Sequence, residues 1–149
     1  MKLESTQVGV AGEYFVAAEL SLRGYIASIT LRNTRGIDII ASTKGGEKSV
    51  NIQVKTNNID STNWVLTQKS ETFYSNNHFY VFVSMKGLSK NPEYYIVPSK
   101  EVSKQITKDH ATWLAIKKAD GSPRKDSSMR KFSLQKESKF KDNWDLLFK

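Results

Sequence analysis

A chain of 149 residues suits one domain and can bury a core without staples. It contains no cysteine, which excludes disulfides and thiolate metal centres and fits a reducing compartment. The net charge of +8 and a pI near 9.6 favour a polyanionic partner through phosphate contacts, although a solvated lysine-rich surface has the same composition. The excess is uneven: residues 1–99 hold 10 Lys/Arg against 8 Asp/Glu, a net of +2, and residues 100–149 hold 13 against 7, a net of +6. Apolar runs stop at about five residues, far short of a membrane span. Met1–Thr6 has the pattern of neither a signal peptide nor an anchor, so the expectation is a soluble cytoplasmic protein without a membrane partner.

Gly12 to Arg23 reads as an amphipathic helix, with Phe15, Val16, Ala18, Leu20 and Leu22 as apolar positions and Gly24 as its stop. Tyr25 to Leu31 alternates weakly, as a strand does, and Asn33 to Gly36 forms a turn. Ile37 to Ser42 reads as a second strand, and Lys44 to Glu47, with Gly45 and Gly46, as a hairpin turn. Ser49 to Thr56 is a third strand: Val50, Ile52 and Val54 point one way, Asn51, Gln53 and Lys55 the other. A polar loop spans Asn57 to Asn63, followed by a short helix within Thr67 to Tyr74. Phe79 to Met85 and Tyr94 to Val97 are further strands. Ser99 starts a helix reaching Ile106 or beyond, and Ala111 to Lys117 has helical character. Ala119 to Lys131 reads as a charged loop, and Asn143 to Phe148 as a tail that docks on the core. The order predicts a single mixed α/β domain, its core at about 9–106 and a basic C-terminal extension at about 107–149.

Gln53 and Lys55 share one face of the third strand, and Asp38 lies about as far from the hairpin turn as Gln53 does. A carboxylate, an amide oxygen and an ammonium then converge across the strand pair. Phosphodiester hydrolysis uses such a set. A hard divalent cation takes the Asp38 carboxylate, the Gln53 oxygen and the backbone carbonyl of Val54. It acidifies a bound water, which Lys55 orients, or Lys55 stabilises charge developing on the phosphate. Glu13 on the first helix completes the shell from above the sheet.

The segments Gly36 to Ala41 (GIDIIA) and Asn51 to Thr56 (NIQVKT) resemble the core signature of the PD-(D/E)XK nuclease superfamily. The stretch GEYFVAAELSLRGY, Gly12 to Tyr25, resembles the first helix of archaeal-type Holliday junction resolvases and related endonuclease-like proteins. The resemblance implies a restriction-endonuclease-like αβββαβ core, a central mixed sheet flanked by helices, a Mg²⁺ or Mn²⁺ site, cleavage of DNA, and a homodimer. Ile37 stands where the motif's name has proline, and Gln53 where the superfamily usually has an acid. Mrr-type endonucleases resemble this Gln-x-Lys version. The alternative is a weakened or inactive nuclease-fold module that binds nucleic acid or a protein partner.

Arg32 and Arg35 border the site and are candidate phosphate contacts, as are Lys117, Lys118, Arg124, Lys125, Arg130 and Lys131. His78 and His110 lack companions at metal-ligand spacing and read as surface histidines. Trp64 reads as a loop residue.

Overall fold

The computed structural model describes residues 2–31 and 34–149. Helix α1 runs Ser5–Leu22 and starts about two turns earlier than the sequence suggests. Glu4 caps it reciprocally with Gln7, whose side chain accepts the Glu4 N–H at 3.0 Å. Gly12 does not break the helix, because it faces the sheet where a side chain would collide with Thr56. Its missing Cβ is what lets α1 lie against the strand.

Five strands form the main sheet: β1 (Ile26–Ile29), β2 (Ile39–Ser42), β3 (Ser49–Asn57), then, after an insertion, β5 (His78–Ser84) and β6 (Glu93–Pro98). They lie in the order β1-β2-β3-β5-β6, antiparallel except for the parallel β3–β5 pair. The insertion corrects the sequence reading. The short helix expected within Thr67 to Tyr74 is a 3-10 helix over Gln68–Glu71, and a strand that was not expected, β4 (Asn63–Thr67), precedes it. Trp64 lies within β4, its indole N–H donating to the Val83 carbonyl at 3.0 Å, and is not a loop residue. β4 pairs antiparallel with β7 (Met129–Ser133), which lies in what reads as a charged loop. Helix α2 runs unbroken over Ser99–Ala115, merging the two expected helical segments.

The sheet has two unlike faces. On one, Val8, Val16 and Leu20 of α1 pack on Ile39, Ala41, Val50, Ile52, Val54 and Val81, and the tail closes this layer with Trp144 and Leu147. On the other, Tyr80, Phe82, Tyr95 and Val97 meet Val102 and Ile106 of α2 and Trp64, Leu66 and Phe132 of the two-stranded sheet. Phe82 stacks on Phe132 at 4.5 Å between centroids, which seats β4 and β7 on this face. The expected α/β architecture, a mixed sheet flanked by helices, is the one observed. No helix among the described residues is long and apolar enough to cross a membrane.

Candidate functional site

The hairpin between β2 and β3 pairs Ile39 with Ile52 and Ala41 with Val50. Asp38 lies just outside that register, its N–H still turned to the carbonyl of Ile52, the residue before Gln53. Strand alternation puts Asp38 and Gln53 on the face away from α1, with Lys55 two residues on. The backbone pairing stops here: the Asp38 N–H donates to the Ile52 carbonyl at 2.8 Å, and β2 contributes nothing further along β3. In place of the next ladder bond, the Asp38 carboxylate reaches over and accepts the Val54 N–H at 2.7 Å. Past Gln53, then, β3 has an open edge on the β2 side. Val54 directs its carbonyl to the same edge as its N–H, since the two groups of one strand residue point the same way. The Asp38 carboxylate and the Val54 carbonyl thus lie at the place where β2 leaves β3, and Gln53 precedes Val54 on the strand.

Burial raises the Asp38 carboxyl above the ordinary aspartate range, against the opposing pull of the Val54 N–H, the Lys55 ammonium and His78. Its second oxygen makes no hydrogen bond among the described residues. A half-buried carboxylate with one oxygen to spare is suited to a cation.

Glu13 belongs to the other layer. α1 covers the Val50/Ile52/Val54 face, so Glu13 is not above Gln53 and Lys55 but behind the sheet. It follows Gly12, which abuts Thr56, the residue after Lys55 on β3. Among the described residues, no three His, Cys, Asp or Glu side chains gather closely enough to hold a metal ion. The donors that do meet are hard oxygens, one of them charged. That set fits a Mg²⁺-like ion that keeps several waters and takes one or two carboxylates, and not a soft or borderline metal.

Sequence reasoning missed His78. It is 3% exposed, and so not a surface histidine. On β5 it stands beside Asn51, and Tyr80 beside Gln53, through a parallel register that no local pattern announces. The imidazole lies 3.0 Å from the Gly36 carbonyl through Nε2; a carbonyl only accepts, so Nε2 carries the proton. Burial pushes its pKa down, against the pull of the Gly36 bond and Asp38. Nδ1 is buried without a hydrogen-bond partner. His78 and Phe73, whose ring fills the space a side chain at Gly36 would need, together hold the turn that delivers Asp38.

Of the candidate phosphate contacts, Arg35 is exposed on that same turn, and Arg32 lies outside the described residues. Lys117, Lys118, Lys125 and Lys131 are exposed, and Arg124 lies over the Trp113 ring. Arg130 departs from the expectation. It is 3% exposed and donates to Glu71 Oε1 and to the carbonyls of Ser127 and Met129, so its charge is used inside the protein.

No family model matches the chain, and no curated protein matches it in sequence. Solved structures similar to it include the following two. One is a bacterial homing endonuclease, at 12% identity and a TM-score of 0.55, covering 98% of this chain and 92% of that one. The other is Hjc from Archaeoglobus fulgidus, a Holliday junction resolvase from an archaeal hyperthermophile, at 14% identity and a TM-score of 0.48, covering 84% of this chain and 83% of that one. The first likeness shows that the chain has the restriction-endonuclease-like fold.

Proposed function

We propose that this chain is a metal-dependent endonuclease that hydrolyses phosphodiester bonds in DNA in the cytoplasm. The observation that carries the reading is the Asp38 carboxylate held on the Val54 N–H at the edge where β2 leaves β3, beside the strand residues Gln53 and Lys55. Asp38, the Gln53 oxygen and the Val54 carbonyl would hold Mg²⁺ or Mn²⁺, with Glu13 reaching the ion from the helix layer. Such an ion supplies Lewis acidity at a phosphate oxygen and acidifies water. Lys55 donates to the oxygen on which negative charge grows, and the low-dielectric aromatic layer beside it strengthens that interaction. Arg35 and the exposed lysines of the C-terminal third draw in the phosphate backbone. Two copies acting together are part of the same proposal, since one site serves one strand at a time.

The test is incubation of the chain with branched, duplex and single-stranded DNA, in Mg²⁺ or Mn²⁺ against EDTA. Cleavage in the metal arms alone is the expected result. If wild type cuts nothing while Gln53→Glu does, the natural protein is a binding module with a weakened site. If neither cuts any substrate, the nuclease reading is lost.

A further inference from the structure

A groove of about 480 Å³ lies on the outer side of the two-stranded sheet, away from the main sheet. Its size is that of a small-ligand site. Val65 and Met129, 64% and 59% exposed, form an apolar floor, and Trp113, 41% exposed, forms a wall from α2. Lys131 is interleaved with these groups, and Arg124 flanks the Trp113 wall. Lys131 is the direct cross-strand partner of Val65, and Arg124 lies 5.0 Å from the centre of the Trp113 ring. Asp126 is taken up by His110 at 2.8 Å, leaving Asp109 as the acidic side chain on the rim.

We infer that this groove holds an unpaired stretch of DNA, its bases on Val65, Met129 and Trp113 and its phosphates on Lys131 and Arg124. The inference rests on the DNA reading above and names a further substrate feature. A duplex hides its base faces and offers an apolar hollow nothing to fill it. An unpaired strand alternates flat apolar bases with phosphates, as the groove alternates apolar side chains with cations. Cross-strand neighbours about 5 Å apart match that spacing on the scale of one nucleotide. An acidic peptide would also satisfy the charge, but it brings amides that apolar walls leave unpaired.

The experiment titrates the full chain in EDTA with oligothymidylate and with a blunt hairpin duplex of equal length whose two strands are joined by a glycol linker in place of a nucleotide loop, reading tryptophan emission and anisotropy. Trp64 and Trp144 are 3% and 4% exposed, so quenching reports on Trp113. Oligothymidylate should bind and quench. The double change Val65→Ser with Met129→Ser, on exposed positions, should weaken its binding roughly ten- to a hundredfold. Hairpin affinity, and hairpin cleavage once Mg²⁺ is added, should stay within about threefold of wild type. Trp113→Leu keeps the wall apolar without a ring and should abolish the quench. Unchanged oligothymidylate binding in both variants, or equal losses for hairpin and oligothymidylate, overturns the inference. Stronger competition by a Glu/Leu peptide than by oligothymidylate also overturns it, in favour of a protein partner. Retained oligothymidylate binding in a chain that never cuts would remove the nuclease reading and leave the groove standing; cutting without that binding would do the reverse.

Discussion

The two faces of one sheet divide the protein's tasks between adjacent residues. Ile52 is fully buried under α1; Gln53, next along β3, stands on the opposite face beside Asp38. The α1 face is mostly aliphatic, with Tyr25, Phe79, Tyr94 and the aromatic tail as its rings, and closed by helix and tail. The other is aromatic where α2 and the two-stranded sheet cover it, and polar where that cover ends at Asp38, Gln53 and Lys55. The proposed site lies where packing stops, within one residue of the buried Ile52. A strand has no other way to make a rigid site than to anchor it through its alternate residues.

The comparison predicts that neighbouring substitutions fail differently. Ile52→Ala empties the aliphatic layer and should cost about 2–5 kcal/mol of stability, read by denaturant unfolding. Whatever activity survives should scale with the folded fraction. Lys55→Ala should lower the cleavage rate by on the order of 10²–10³ while leaving the unfolding midpoint nearly unmoved. If wild type and Lys55→Ala cut equally fast, the polar strip is not the reactive face.

Asp38→Asn sharpens the contrast between stability and function. The folded pKa of Asp38 is raised, so its contribution to stability is present in full at low pH and is lost as pH rises through that folded value. Asparagine cannot ionise and retains the contribution at neutral pH, so without metal the variant should melt above wild type at pH 7 and level with it in acid. Calorimetry should find its Mn²⁺ binding lost. A variant that melts lower at pH 7 and still binds Mn²⁺ would place both burial and ligand elsewhere.

The smallest effect belongs at the sheet's far edge. Glu93 is half-buried there; the ammoniums of Lys86 and Lys141, 3.1 and 3.3 Å away, outweigh that burial and hold its carboxyl below the ordinary range. A depressed carboxylate stabilises above its unfolded value, and the stability is lost as pH falls through the folded one. Glu93→Gln should therefore lower the melting temperature slightly at pH 7, with the gap closing below about pH 4.

What was legible in the sequence followed from local pattern. The alternation of Val50, Ile52 and Val54 gives β3, and the Gly45–Gly46 hairpin sets Asp38 beside Gln53. What was not legible depended on distant partners. β4 and β7 are five residues each, and neither has a partner within reach to declare it a strand. His78 looks like a surface residue until the parallel register buries it. Gly12 looks like a helix boundary because sequence shows the missing side chain and not the Thr56 that occupies its space. Glu13 was expected above the sheet because nothing local states which face α1 takes.

The pairing of β4 with β7 also bears on the order in which the molecule is completed. Residues 63–67 wait for residues 129–133, so most of the chain must exist before Trp64 and Phe82 receive the ring of Phe132. During synthesis the aliphatic layer lacks only its tail, while the aromatic layer stays open to solvent until the last seventh of the chain emerges. A chain stopped at residue 128 should accordingly bind a hydrophobic dye and be cleaved in the segment from 57 to 67, where the finished protein resists both. The proposed DNA groove, floored by β4 and β7, would then be complete only when the chain is nearly finished, a form of timing written into strand order.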